Sequence, residues 1–139
     1  MTRFVLDASV ALRWFLDNPL SPYASHVKQL LIRGERALVP ALWHLEMSNG
    51  LAVAERRSIL ARDDVEQALV HLEQLQRRAL DTASELISVR QSLSTARTFR
   101  LSAYDAVYLD LSRREKLPLA SLDERLRAAA KAAGVPLLR

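Results

Sequence analysis

Arg3-Phe4-Val5-Leu6-Asp7-Ala8-Ser9 opens the readable pattern. Its apolar core is too short for a helix and too rich in Phe and Val for a loop, so it reads as a buried strand that ends on an acid. The same kind of run returns at Ala37-Leu38-Val39, closed by Pro40, and in minimal form at Leu80-Asp81-Thr82. It recurs at Pro118-Leu119-Ala120-Ser121 and, as a last short strand, at Val135-Pro136-Leu137-Leu138. Helical patterns fill the gaps. Ser9 is placed to cap a helix carrying Val10, Leu12 and Trp14, which Asn18-Pro19 breaks. Ser21-Pro22 restarts a helix with Val27, Leu30 and Leu31 on one face, ending at Gly34. Further helices are expected over Ala41 to Arg57, Arg62 to Arg77 and Ser84 to Phe99, then from the cap Ser102 and from the cap Asp123 up to Gly134. No two strands are joined by a tight hairpin. Strands that alternate with helices imply parallel pairing, hence an α/β chain: a three-layer α/β/α sandwich around a small, mostly parallel sheet.

The 139 residues suit one domain spanning 1–139, with no repeat or linker to divide it. Cysteine is absent, which excludes disulfide scaffolds, thiolate metal sites and Cys nucleophiles. The three glycines, Gly34, Gly50 and Gly134, are too far apart for a phosphate-cradling loop. No apolar run approaches the roughly 18 residues of a membrane span, and Asp7 arrives too early for a signal-peptide core, so a cytoplasmic protein is expected. The 20 basic and 16 acidic residues give a net charge of +4. The whole excess lies beyond residue 112, where Arg113, Arg114, Lys116, Arg125, Arg127, Lys131 and Arg139 face Glu115, Asp123 and Glu124. Arginine forks match phosphate oxygens, although on charge alone a solvated helix face is the better reading.

Four carboxylates carry the chemical argument. Asp7 directly follows the first strand, and Asp123 follows the strand ending near Ser121; both therefore belong at the carboxyl edge of the sheet, where such folds bind ligands. Asp105 opens a helix. Glu46 is the one charged residue between Arg36 and Glu55, a costly setting for a carboxylate without a partner. Asn49, three residues on, shares its helix face. Taken singly, Asp105 and Asp123 are explained as caps and Asp7 as a turn residue. Taken together they cannot all stay ionised side by side. Two carboxylates about 5 Å apart repel by roughly 3 kcal/mol at an effective dielectric near 20, so a cluster holds protons or recruits a cation. An oxygen-only donor set, with no Cys and with His26, His44 and His71 spread out, selects Mg²⁺ or Mn²⁺.

Asp7-Ala8-Ser9, Glu46 within Pro40-Ala41-Leu42-Trp43-His44-Leu45-Glu46, Tyr104-Asp105-Ala106-Val107-Tyr108-Leu109 and Ser121-Leu122-Asp123-Glu124-Arg125-Leu126, in that order, resemble the motifs of PIN-domain ribonucleases, most of all the VapC toxins of toxin–antitoxin pairs. The resemblance implies a metal-dependent endoribonuclease in which Asp7, Glu46, Asp105 and Asp123 are the catalytic, Mg²⁺- or Mn²⁺-binding acids, Asp123 acting directly or by orienting a water. Ser9, Asn49 and Ser121 would support them, Ser121 standing where the family often has Thr. The resemblance further implies an RNA substrate, a homodimer and inhibition by a VapB-like antitoxin, for which the apolar helices over about 41 to 76 offer surface. Arg113, Arg114 and Arg125 would then hold the RNA backbone. Tyr104 and Tyr108 are expected to pack near the site. The alternative is a binding module without catalysis, either an inactive PIN-like domain or a receiver-like domain. A receiver wants an acidic doublet after the first strand and an Asp phosphatase an acid two residues after Asp7; Ala8 and Ser9 stand there instead.

Overall fold

A computed structural model describes residues 3–139. Its strands are β1 (Arg3–Leu6), β2 (Arg36–Val39), β3 (Leu80–Thr82) and β4 (Leu119–Ala120). Its helices are α1 (Ala8–Leu16), α2 (Pro22–Ile32), α3 (Ala41–Arg56), α4 (Arg62–Ala79), α5 (Val89–Phe99), α6 (Ala103–Glu115) and α7 (Glu124–Ala132). The strands form one sheet in the order β3-β2-β1-β4, and every pairing is parallel. Register runs from Val5 to Leu38 on one side of β1 and from Val5 to Leu119 on the other. Phe4, Val5, Leu6, Ala37, Val39, Leu119 and Ala120 are wholly buried, as parallel strands covered by helices on both faces must be. The three-layer α/β/α architecture is thus that expected, and the sheet is all-parallel rather than mostly so.

The chain builds outward from β1 through β2 to β3, then returns to place β4 on the other flank of β1. The order reverses between β1 and β4, which is where a parallel sheet opens a crevice at its carboxyl edge. Asp7 and Ser121 are the residues that leave β1 and β4 at that point.

Three local expectations are corrected. Ser9 does not cap α1: the helix begins at Ala8 with Asp7 in the cap position, leaving the Ser9 hydroxyl free to serve elsewhere. The helix expected from Ser84 begins at Val89, because the Ser88 hydroxyl accepts the Gln91 N–H and so caps there; Leu86 and Ile87 fall in the irregular segment before it. The strand expected over 135–138 shrinks to a single parallel bridge, Leu119 to Leu137, since Pro136 has no N–H to continue a ladder. Among the described residues, no helix is long and apolar enough to cross a membrane.

Candidate active site

Asp7 is 4% exposed, and its Oδ2 accepts hydrogen bonds from the hydroxyls of Ser9 and Ser121, both at 2.7 Å. Those hydroxyls accept in turn from the β4–α7 turn, Ser9 Oγ from the Leu122 N–H and Ser121 Oγ from the Asp123 N–H, each at 3.0 Å. The two serines therefore lock the end of β1 to the end of β4 through one carboxylate oxygen. Burial pushes the Asp7 carboxyl above its ordinary range, the serine hydrogen bonds oppose that, and nearby Asp123 adds to it.

The other three acids arrive from separate helices. Asp123 is the N-cap of α7, its Oδ1 accepting the Leu126 N–H at 2.8 Å. Asp105 lies in the first turn of α6, where Ser102 caps by accepting the Asp105 N–H at 3.1 Å. Glu46 lies on α3, and its Oε1 accepts from the Tyr108 hydroxyl of α6 at 2.6 Å. Burial raises the Glu46 carboxyl; the Tyr108 hydrogen bond pulls it down, while Asp7 and Asp105 push it up. Asp105 is pushed up to about 6, first by burial and then by Asp123 and Asp7. Like charges thus feel one another across the site. The N-termini of α1, α6 and α7 converge on the same edge, and their dipoles offset part of this repulsion.

All four acids line one open cleft of about 310 Å³, together with Ala8, Ser9, Leu12, Asn49 and Gly50. Gly50 of α3 faces Leu12 of α1: a Cβ there would meet the Leu12 methyl carbons at 2.5 and 2.8 Å, so a larger residue requires that flexible side chain to turn aside at the edge of the cleft. As they stand, no three His, Asp or Glu side chains among the described residues are gathered closely enough to hold one ion. The donor chemistry nevertheless fits a hard divalent cation: the cleft presents carboxylates and the Asn49 amide, no sulfur and no imidazole, and Asp7, Glu46 and Asp105 are held above their ordinary range by burial and in part by acidic neighbours.

The structure brings Asp7, Ser9, Glu46, Asn49, Asp105 and Asp123 together at this cleft, with Ser121 bonded to Asp7 beneath it. It does not bring the three C-terminal arginines there. Arg114 is engaged by Glu85 at 3.5 Å and Glu115 at 4.0 Å. Arg113 lies over the Phe99 ring, 5.8 Å from its centroid, and Arg125 borders a separate groove. Two contributors were not read as such from sequence. Tyr108 was expected only to pack nearby, yet it is the hydrogen-bond donor to Glu46; its place three residues after Asp105, on the same helix face, was the available signal. Gly50 was legible as the one glycine inside a helix, but the demand for it lies on another element, at Leu12. The histidines bind elsewhere: His44 lies within 2.9 Å of Thr82 Oγ1 and 3.1 Å of Gln76, and His26 within 2.8 Å of the Arg139 carbonyl oxygen.

A parallel α/β/α sheet with an acid-lined cleft at its β1–β4 switch point defines the class of α/β folds that bind ligands at the carboxyl edge of the sheet. Residues 4–132 match the PIN domain family, and the chain belongs to it; PIN domains are generally nucleases that use divalent metals. The fold is similar to that of PAE2754 from Pyrobaculum aerophilum, with a TM-score of 0.68 and 21% identity, covering 92% of this chain and 84% of that one. It is also similar to FitAcB from Neisseria gonorrhoeae, with a TM-score of 0.62 and 20% identity, covering 100% of this chain and 97% of that one. At these identities the likeness concerns the fold. No curated protein matches the sequence.

Proposed function

We infer that this PIN domain is an endoribonuclease dependent on Mg²⁺ or Mn²⁺, the toxin of a VapC-type toxin–antitoxin pair, formed by residues 1–139 as one domain and acting in the cytoplasm. The observation that carries this reading is the meeting of four acids, from the ends of β1 and β4 and from α3 and α6, in one cleft at the switch point. Asp7, Glu46, Asp105 and Asp123 would hold the ion, which when bound supplies Lewis acidity toward a phosphodiester and lowers the pKa of a water.

The protein's own part is to hold these oxygens ready. Ser9 and Ser121 fix Asp7, and Tyr108 fixes Glu46 while keeping its own proton, since burial raises the phenol far above its ordinary range. Asp105, pushed up to about 6, is mostly ionised at neutrality, and a bound cation would displace the protons it still holds there. Asp123 remains tied to the α7 N-terminus through Oδ1, which leaves Oδ2 for an ion or for a water. Leu45, Leu69 and Val70 are exposed on α3 and α4, which supports a face for a second copy or for a VapB-like antitoxin.

Purified protein incubated with total RNA and Mn²⁺ should cut it, EDTA should stop it, and Asp7→Asn should lower the rate at least about 100-fold while its circular dichroism is unchanged. A folded Asp7→Asn protein that cuts as fast as its parent would remove the assignment. The spacing of the acids, wider than a preformed ligand set, favours one rival: a PIN domain that binds without cleaving. Calorimetric titration with Mn²⁺ separates the two, since a non-catalytic scaffold gives little heat.

A further inference from the structure

Arg127 stands one helical turn after Asp123 on α7, half-buried, and makes no ion pair among the described residues. Its guanidinium has two neutral partners instead. Nη1 donates to the Ser121 carbonyl oxygen at 2.9 Å, and Cζ lies over the Tyr23 ring of α2, 5.5 Å from its centroid. Tyr23 is itself held, its hydroxyl donating to the Leu138 carbonyl oxygen at 2.8 Å. A hydrogen bond from a charged donor is stronger than one from a neutral donor, and this one falls just past the end of a strand. The β4 ladder closes with the Asp7 N–H on the Ala120 carbonyl at 2.9 Å, one residue short of Ser121. Helix α7 does not need the contact to start, since Asp123 already caps it.

Peptide planarity sets what this bond controls. The Ser121 carbonyl and the Leu122 N–H belong to one rigid unit and point in opposite directions. Arg127 grips the oxygen end, and at the other end the Leu122 N–H donates to Ser9 Oγ at 3.0 Å. With a lone pair engaged there, the Ser9 hydroxyl directs its proton to Asp7 Oδ2 at 2.7 Å. Guanidinium, peptide, hydroxyl and carboxylate thus run in unbroken contact from α7 to the buried acid. Were the peptide to rotate, its N–H would leave Ser9 and the hydroxyl would be free to turn from Asp7. We propose that Arg127 is a positioning residue for Asp7: by fixing the plane of the Ser121–Leu122 peptide it aims the Ser9 hydroxyl at the carboxylate. That Asp7 serves an ion rests on the metal-dependent reading above; the hold of Arg127 on the Ser9 contact does not.

Two measurements on the full chain test this: exchange of the Leu122 amide in EDTA, followed by NMR, and Mn²⁺ affinity by calorimetry. Arg127→Met keeps an unbranched chain against Tyr23 and removes the donor. Leu122 should then exchange at least about tenfold faster relative to the Val5 and Leu119 amides, which are bonded within the sheet and report general stability. Mn²⁺ affinity should fall about tenfold. Arg127→Lys, which retains an N–H donor, should lie between Arg127→Met and the parent in both readings. Arg36→Ala breaks the ion pair with Asp81 at the start of β2, the opposite edge of the sheet, and should change neither. Because Arg127 acts through Ser9, adding Arg127→Met to Ser9→Ala should cost no further Mn²⁺ affinity. The proposal is overturned if Leu122 is no more labile in Arg127→Met than in the parent, if Arg127→Lys behaves as Arg127→Met does, or if Arg36→Ala produces the same changes. It is equally overturned if the parent binds Mn²⁺ and Arg127→Met binds it as well, or if the losses from Ser9→Ala and Arg127→Met simply add. If the parent binds no Mn²⁺ while Leu122 loosens in Arg127→Met and not in Arg36→Ala, the metal-dependent reading fails and the hold on the Ser9 contact stands. If the parent binds Mn²⁺ and cuts RNA while Leu122 is unmoved, that reading stands and the proposal falls.

Discussion

The hydroxyl of Tyr108 decides how Glu46 behaves. It is buried, and it donates at 2.6 Å to Oε1 of Glu46, whose side chain lines the cleft. Groups that orient a metal-binding carboxylate commonly affect metal affinity or activity by 10- to 100-fold. Tyr108→Phe should therefore weaken Mn²⁺ binding measured by calorimetry by about tenfold or more, with a stability loss of only about 1 kcal/mol in urea melts. An unchanged Mn²⁺ affinity would reduce Tyr108 to a packing residue. Ser121 carries a parallel argument for Asp7: Ser121→Ala takes one donor from Asp7 Oδ2 and frees the Asp123 N–H, whereas Ser121→Thr keeps both bonds, so Thr should preserve cleavage that Ala lowers. The acids themselves were legible because local rules place them. Asp7 and Asp123 follow strands, Asp105 opens a helix, and Glu46 stands alone in an apolar stretch. For Tyr108 and Gly50 the chain spacing placed the residue near the site or inside its helix but not its contact, because the bond to Glu46 and the approach to Leu12 are distances to another helix. The arginines were read as one group by charge, but Glu85 and Glu115 divert Arg114, and Phe99 gives Arg113 a partner no charge count shows.

Helix ends show where element boundaries come from. The α6 helix closes on Lys116, φ 56° and ψ 46°, its N–H donating to the Ser112 carbonyl. A non-glycine residue in that region costs on the order of 1 kcal/mol, and glycine is the usual occupant. Lys116→Gly should stabilise the protein by about 0.5–1 kcal/mol, a rise in Tm of roughly 2–5 °C by calorimetry, without touching the cleft. A fall in Tm would mean that the lysine chain packs in a way that outweighs the backbone strain. Most boundaries were legible from the same capping chemistry: Ser21-Pro22, Ser102 and Asp123 start helices where expected, the Ser21 and Ser102 hydroxyls and the Asp123 carboxylate each accepting the N–H three residues on. The miss at Ser84 had two serines competing to start one helix, and the Gln91 N–H bond to the Ser88 hydroxyl marks the one that does. The miss at residues 135–138 shows the opposite limit. Apolar character put that segment beside β4, but Pro136 reduces it to one bridge, and composition does not count hydrogen bonds.

Across the whole molecule, the cleft is a place where stability is given up. Asp7, Glu46 and Asp105 all bind protons more tightly in the fold than their ordinary values, Asp105 near 6 instead of 3.8. Between about pH 4 and 6 the folded chain therefore holds more protons than the unfolded one, and stability must fall as pH rises through that window. Asp81 works in the other direction, held low by Arg36 and Arg3, but its window lies below the ordinary carboxylate value and does not overlap. Without metal, the protein should melt at a higher temperature at pH 5 than at pH 7.5, and Asp105→Asn should raise Tm at pH 7.5 by the equivalent of about 1 kcal/mol, allowing for the solvent that half-exposed Asp105 retains. A divalent cation acts on the same balance. An ion that binds only the folded chain adds about 2.7 kcal/mol at 100 times its Kd, so Mg²⁺ or Mn²⁺ should raise Tm at pH 7.5 and do so progressively less as pH falls toward 5, where protons compete for the same oxygens. Asp7→Asn and Asp105→Asn should each flatten that response. If the metal-induced shift is instead the same at both pH values and survives both substitutions, the ion binds outside this cleft, and the acids meet there for a reason other than holding it.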